Sequence, residues 1–196
     1  MGCKLRFRVP ENMVGDLDKI ASSHLAPYQK LEVFRSHLLP SLSHHLVSGR
    51  VMKDTLTVLD GECRKFMGKV ANVPSTATIP FYYADRNAGG LGISRLSDDA
   101  DIWTIARASQ LLSSSDPATK NLSFAQLRST IRKGLRVISD EENLPVTEYL
   151  SGSTDGGLYR IRFAPRSIEN LWTRTRHAAR RLGVTVDVSN ASEIKL

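Results

Sequence analysis

A run of arginines near the carboxyl end holds the side chains of this sequence best suited to chemistry. Between residues 160 and 181 the chain places seven arginines against one acid, Glu169, seven positive charges against one negative, or +6. A guanidinium group can bind a phosphate through two parallel hydrogen bonds and can stack on a base. The run therefore predicts contact with nucleic-acid phosphates, with an affinity that is sensitive to salt and tolerant of sequence. The seven are Arg160, Arg162, Arg166, Arg174, Arg176, Arg180 and Arg181.

An amphipathic helix is expected to position the last of these arginines. Ser167 is a favourable N-cap and Gly183 stands where a glycine would end the helix. On a helical wheel, one face is apolar and the other carries Arg174, Arg176, His177, Arg180 and Arg181. One basic helix face is not a specific signature, because an ordinary solvated face has similar residues. The apolar face comprises Ile168, Leu171, Trp172, Ala178, Ala179 and Leu182.

Tyr82-Tyr83-Ala84-Asp85 approaches the aromatic-x-Asp-Asp turn in which polymerases bind metal ions through two carboxylates. Arg86 occupies the position of the second aspartate, and a cation there would oppose metal binding. The nearby glycines 89, 90 and 92 lack the Lys-Ser or Lys-Thr of a phosphate-binding loop. The sequence therefore predicts no catalytic residue and no metal ligand in this chain.

The composition is that of a globular chain with a real core, since 41% of its 196 residues are hydrophobic and its net charge is +7. Cys63 lies on the apolar stripe of a helix, and two cysteines cannot form a zinc cluster. No apolar run reaches the roughly 18 residues of a membrane span, and no secretory signal is recognisable. An intracellular location, nuclear or cytoplasmic, is the expectation.

Apolar spacing predicts a mainly α fold, a bundle of five or six helices between Val14 and Ser139. A short strand is predicted for residues 1–9, and a small basic module with one amphipathic helix and a possible hairpin for 141–196. The resulting domain boundaries are 1–9, 10–140 and 141–196. Pro40 should kink its helix.

Two of these helices have start and core positions that can be predicted in detail. Asp98 is expected to open one helix, and a capping box of Ser123 with Gln126 is expected to open the next. The inward face predicted for the first consists of Ile102, Ile105, Ala106, Ser109 and Leu112.

Several blocks occur in an order that resembles the region after the polymerase core of non-LTR retrotransposon reverse transcriptases. The similarity is greatest to the site-specific elements that insert into ribosomal RNA genes, and it covers residues 1–140 better than the remainder. The blocks are Met1-Gly2-Cys3-Lys4-Leu5-Arg6-Phe7, Leu25-Ala26-Pro27-Tyr28-Gln29-Lys30-Leu31, Leu38-Leu39-Pro40-Ser41-Leu42, Leu59-Asp60 through Arg64-Lys65, and Gly89-Gly90-Leu91-Gly92-Ile93.

This resemblance implies that residues 10–140 are a thumb, the helical unit that grips the template-primer duplex during target-primed reverse transcription, followed by a linker. The implied partners are RNA, DNA and the fingers, palm and endonuclease of the same polyprotein, whose full-length enzyme would need magnesium. The chain alone is expected to be non-catalytic and to need no cofactor. The predicted nucleic-acid-binding residues are Arg64, Lys65, Lys69, Arg132 and Arg136 in the thumb and Arg174, Arg176, Arg180 and Arg181 in the tail.

The alternative is a basic helical protein-interaction domain, a domesticated or decayed remnant of such an element. Phosphate contacts would weaken by orders of magnitude as salt rises, whereas binding in an apolar groove would respond little.

Overall fold

The computed structural model describes residues 9–48, 51–74, 76–135, 144–155, 158 and 169–188. These residues are mainly helical, which confirms the predicted fold class. The chain divides into two compact units, Met1–Ala100 and Asp101–Leu196. The α-helices are α1 (Val9–Ser22), α2 (Pro27–Val33), α3 (Leu39–Ser48), α4 (Lys53–Val70), α5 (Ile79–Tyr83), α6 (Leu96–Leu112), α7 (Pro117–Leu135), α8 (Val146–Leu150) and α9 (Leu171–Leu182).

The core of the first unit is built around α4, as its apolar stripe predicts. Leu59, Phe66 and Met67 of that helix are buried against Met13 of α1 and Phe34. The rings of Phe34 and Phe66 lie 5.2 Å apart between centroids, tilted by 47°. This packing leaves the opposite side of α4 to polar side chains.

Pro40 lies in a continuous helical segment in which a π turn, Phe34–Leu38, joins α2 to α3. Proline cannot donate a backbone hydrogen bond and would clash with the carbonyl four residues earlier in a regular α-helix. The N–H of Leu39 donates to the carbonyl of Phe34 in the wider, five-residue pattern. The π turn just before Pro40 thus accommodates the missing donor.

The second unit packs α7, α8 and α9 around Trp172. Phe124, Leu127 and Ile131 of α7 share this core with Tyr149 of α8. The second unit thus includes α7, which the sequence analysis predicted to belong to the helical domain of residues 10–140. The predicted boundary at 140/141 lies outside the described residues, and its meaning as the end of a thumb stays a prediction.

The inward face predicted for α6 is wrong in part. The helix begins at Leu96 rather than Asp98, and Ile102 and Ser109 are exposed, whereas Ala108 and Leu112 are buried. The reason is that Asp101 turns inward to pair with an arginine from α9. The buried stripe therefore runs through Asp101, which pure hydrophobic spacing would not select.

The start predicted for α7 is also wrong. Asp116 caps this helix, because its carboxylate accepts hydrogen bonds from the backbone N–H groups of Ala118 (3.2 Å) and Thr119 (2.9 Å), and Pro117 is the first helical residue. Ser123 lies within the helix and donates to the carbonyl of Thr119. Helix α8 was not predicted.

Two predicted β elements are not tested by the described residues. The strand at residues 1–9 lies outside them except for Val9, which opens α1 instead. The strand of the possible hairpin, Leu158 to Phe163, lies outside them except for Leu158, which is buried.

Candidate nucleic-acid interface

Helix α9 holds the described part of the arginine run. Asn170, not Ser167, caps it: its side chain accepts from the N–H of Thr173 at 3.0 Å and donates to Thr130 of α7 at 2.8 Å. Ser167 itself lies outside the described residues. Gly183 ends the helix with φ of 66°, a left-handed conformation that glycine adopts freely. Both ends of the helix are therefore fixed.

Arg176 is buried, which corrects its placement on the solvent face of the wheel. It is 6% exposed, and its guanidinium donates to the carbonyl of Tyr149 at 2.8 Å and to the carbonyl of Ser153. The same group lies 5.0 Å from the centre of the Tyr149 ring, a cation–π geometry. The wheel missed this because α8 and the turn after it cover that side of α9. Arg176 therefore joins two segments of the fold.

The turn after α8 approaches α9 very closely. Gly152 has φ of 80°, and a Cβ atom placed there would lie 2.6 Å from the Cβ of Arg180. Only glycine combines that backbone conformation with that proximity. The turn thereby places the carbonyl of Ser153 within reach of Arg176.

Arg181 forms the second internal contact of α9. Its Nε and Nη2 donate to the two carboxylate oxygens of Asp101 at 2.8 and 2.7 Å, and the pair raises the pKa of Arg181. Asp101 is buried, whereas about half of the Arg181 side chain is exposed. Arg180 is exposed and Arg174 is half-buried. Of the four predicted tail residues, Arg180 and Arg181 are therefore exposed, and Arg181 is paired with Asp101.

His177 lies among these arginines on α9. Burial lowers its pKa, and the charges of Arg181, Arg176 and Arg180 lower it further. The neutral imidazole is thus favoured, and the positive charge of the helix resides on its arginines.

In the first unit, α4 presents three predicted residues in its second half. Lys65 is exposed and pairs with Glu62 one turn earlier at 2.7 Å, while Lys69 is exposed in the last turn. Arg64 is half-buried, and its Nη1 donates to the hydroxyl of Tyr83 at 3.3 Å. Lys65 and Lys69 lie four residues apart, so they share one face of the helix.

The two predicted residues of the α7 region have different outcomes. Arg132 is half-buried on α7, whereas Arg136 lies outside the described residues. Arg128 is half-buried and Lys133 exposed on the same helix, and neither was selected from the sequence. The four-residue spacing of Arg128 and Arg132 is the signal that could have found the former.

Asp85 has a structural role in the segment Tyr82-Tyr83-Ala84-Asp85, which approaches the aromatic-x-Asp-Asp pattern. It caps the short 3₁₀ helix Arg86–Ala88, with its carboxylate accepting from the N–H of Asn87 at 2.7 Å. Gly90 packs so tightly that an added Cβ would lie 2.2 Å from the carbonyl oxygen of Ala84. No group of three or more His, Cys, Asp or Glu side chains converges in the part of the chain that the structure describes.

Asp60 forms a buried polar centre that sequence reasoning did not select. Its carboxylate accepts from the N–H of Leu96 at 2.8 Å and of Ser97 at 3.3 Å, which are in the first turn of α6. Arg95 Nε lies 3.5 Å from the same carboxylate, and Lys53 donates to the carbonyl of Ser97. Asp60 therefore fixes the start of α6 against α4. An acid within the apolar stripe of α4 was the available signal.

Comparison with known proteins finds similarity to retrotransposon Pol polyproteins over part of the chain. The chain is 30% identical over 108 residues to a retrovirus-related Pol polyprotein from the type-2 retrotransposable element R2DM of Drosophila melanogaster, covering 55% of the chain and 10% of that relative. It is 30% identical over 87 residues to the Pol polyprotein of a type-1 retrotransposable element R2 from Nasonia vitripennis, covering 44% and 8%. A Bradysia coprophila R2 polyprotein is 29% identical over 82 residues, covering 42% and 9%. No protein-family model matches the chain.

These similarities support the resemblance based on the ordered blocks. About half of the chain is similar to a region of retrotransposon Pol polyproteins. The matches span about a tenth of the length of these relatives. Among the described residues, no helix has the length and apolar character needed to cross a membrane.

Proposed function

We propose that this chain is the thumb and following linker of a retrotransposon reverse transcriptase, and that it grips the template-primer duplex through phosphate contacts. The similarity to R2 Pol polyproteins is the observation that carries the proposal. The polymerase carboxylates, with their magnesium, and the endonuclease belong to other parts of the polyprotein. The chain is therefore non-catalytic on its own.

Exposed cations on fixed helices support the proposed grip. Lys65 and Lys69 project from α4, whose other face is buried in the first core, and Arg180 projects from α9, whose other face is buried in the second. Each side chain can meet a phosphate without any rearrangement of the core. Because phosphates occur at every nucleotide, such contacts fix position without reading sequence.

The test is binding of a labelled RNA–DNA hybrid to the 196-residue chain between about 50 and 200 mM salt. The double variant Lys65→Gln/Lys69→Gln should bind about ten-fold more weakly at low salt. Its log–log salt slope should fall by about two, because each lost phosphate contact removes close to one unit. Arg180→Gln should reduce the slope by about one.

A matched double variant controls for net charge. Lys19→Gln/Arg35→Gln removes two exposed cations from the same unit, outside the predicted interface, and should leave the slope nearly unchanged. If the wild-type chain does not bind the hybrid at low salt, the proposal is wrong. If the two double variants weaken binding equally, binding depends on net charge alone and the proposed interface on α4 is wrong.

A second candidate function is favoured by apolar side chains exposed on the second unit. Ile102 is 53% exposed, Trp103 40% and Leu122 61%. Such residues suit a protein-interaction domain that docks through α6 or α7. Salt separates the two functions, since apolar docking would persist at 200 mM salt, where phosphate binding weakens sharply.

A further inference from the structure

Two arginines and a tyrosine from three different segments meet above Asp60 in the first unit. Arg64 follows Asp60 by one turn on α4, Tyr83 ends α5, and Arg95 directly precedes α6. Arg64 Nη1 lies 3.3 Å from the Tyr83 hydroxyl, and Arg95 Nε lies 3.5 Å from a carboxylate oxygen of Asp60. Burial raises the pKa of Tyr83 and the hydrogen bond from Arg64 opposes that rise, while the charge of Asp60 raises the pKa further and the charges of Arg64 and Arg95 lower it. The hydroxyl is thus within the field of both guanidinium groups.

Three acids near this cluster, Asp60, Asp99 and Glu62, have partners. Asp60 is 1% exposed and accepts two backbone hydrogen bonds in addition to the contact with Arg95. Asp99 accepts from Ser94 Oγ at 2.7 Å, and Glu62 pairs with Lys65 at 2.7 Å. Arg64, Tyr83 and Arg95 are each half-buried, so all three keep access to solvent. The outer layer of the cluster, formed by Arg64, Tyr83 and Arg95, therefore carries two positive charges over one buried carboxylate, whose charge still acts on Tyr83.

The donor set of this outer layer matches a phosphate. Because the Tyr83 oxygen accepts from Arg64, its own proton remains available to donate. Two guanidinium groups and one hydroxyl can together satisfy several oxygens of one phosphate, and charge-assisted bonds of this kind are the strong ones. Asp60 restrains Arg95, and Tyr83 restrains Arg64, which reduces the entropy lost on binding.

We propose that Arg64, Tyr83 and Arg95 form a single site for one phosphate group of the nucleic-acid backbone. This inference rests on the proposed function, and it adds Tyr83 and Arg95 to the residues predicted from the sequence. Its distinguishing feature is that two arginines share one phosphate. Exposed lysines such as Lys69 would instead contact one phosphate each.

Shared binding predicts non-additive salt slopes with the RNA–DNA hybrid. Arg64→Gln and Arg95→Gln should each weaken binding about three- to ten-fold and lower the slope by less than one, because the other arginine keeps the phosphate. The double variant should lower the slope by about one. A loss of about two in the double variant would mean separate contacts and overturn the site. So would single variants that bind like the control Arg35→Gln.

Tyr83→Phe tests the hydroxyl without removing charge. It should weaken binding about three-fold at every salt concentration and leave the slope unchanged. Thermal unfolding of each variant checks that the unit still folds. Wild-type affinity in a folded Tyr83→Phe variant would show that the hydroxyl takes no part and would contradict the proposed donor set.

Inorganic phosphate provides a test that does not depend on duplex binding. In spectra of ¹⁵N-labelled arginine side chains, the Nε signals of Arg64 and Arg95 are assigned by their loss in the two Gln variants. Added phosphate should shift both signals in the wild-type chain. Phosphate-induced shifts without hybrid binding would reject the proposed function and leave a site for a free anion. Hybrid binding that is unaffected in all three variants, without phosphate-induced shifts, would keep the function and reject the site.

Discussion

Helix α9 and helix α4 each carry four lysine or arginine residues, yet these residues make different contacts in the two helices. In α9 the arginines face no acid within the helix, but Arg176 bonds to two carbonyl groups and Arg181 to Asp101. In α4 the acids Asp54, Asp60 and Glu62 lower the net charge, but Lys65 and Lys69 remain exposed. The comparison teaches that the local density of positive charge does not measure how much of it can reach a phosphate.

The largest effect expected from this contrast is that of Arg176→Ala. The substitution removes the charged donor of the Tyr149 and Ser153 carbonyls, and a hydrogen bond from a charged group contributes about 1.5–3 kcal/mol. The Tyr149 carbonyl keeps its bond from the N–H of Gly152 at 3.1 Å. We expect the free energy of unfolding of the second unit to fall by about 3 kcal/mol. Urea unfolding followed by tryptophan fluorescence measures it, because both tryptophans belong to that unit.

Arg180→Ala is the matched control on the same helix. Arg180 is exposed, so its substitution should change the unfolding free energy by less than about 0.5 kcal/mol. Equal losses from the two variants would break the division of α9 into buried and accessible arginines. A stable Arg176→Ala variant with weakened hybrid binding would return Arg176 to the predicted interface.

The sequence predicted the helices better than the contacts between them. Helix α4 could be located because its apolar residues recur at three- and four-residue steps, a property of the segment itself. The start of α7 was missed although Asp116-Pro117 is a strong local signal, since Ser123 with Gln126 also fits a capping box. The burial of Asp101 could not be predicted, because its partner Arg181 lies 80 residues away.

The candidate site shows the same limit. Lys65 and Lys69 could be selected from the sequence, because exposed cations need only a helix face. Arg95 and Tyr83 could not, since their proximity to Arg64 depends on how α5 and the start of α6 pack on α4. In the sequence, Asp60 is one more charged residue of a helix, because the N–H groups of Leu96 and Ser97 that bind its carboxylate belong to a different helix.

A smaller effect is expected for Asp60→Ala in the first unit. The change removes the acceptor of the Leu96 and Ser97 N–H groups and the partner of Arg95, so we expect that unit to lose about 2 kcal/mol. Hydrogen exchange should show faster exchange at those two amides. Asp60→Asn, which keeps an acceptor oxygen, should lose less.

Asp18→Ala is the control, because Asp18 is exposed on α1. It should leave the exchange of Leu96 and Ser97 unchanged. If Asp60→Ala also leaves it unchanged, the start of α6 does not depend on Asp60, and the restraint on Arg95 that the phosphate site requires is absent.

The smallest expected effect is on stability at alkaline pH. Each unit contains one buried side chain that ionises at alkaline pH, the thiol of Cys63 in the first and the phenol of Tyr149 in the second. Burial, followed by the charge of Asp60, raises the pKa of Cys63 from 9.0 to about 12, while burial raises that of Tyr149 from 10.0 to about 12. A raised pKa in the folded state contributes stability below the unfolded pKa, and that stability is lost as pH rises towards the folded value. Cys63 should therefore begin to destabilise the first unit near pH 9, and Tyr149 the second near pH 10.

The variant Cys63→Ala isolates the first of these contributions. Between pH 8 and pH 10 the wild-type chain should lose about 1 kcal/mol more than the variant, because the unfolded thiol ionises and the buried one does not. Urea unfolding followed by circular dichroism at both pH values measures the difference. An identical pH dependence in the two proteins would mean that the Cys63 thiol ionises as readily in the folded chain as in the unfolded one. That result would contradict its burial in the core beside Asp60.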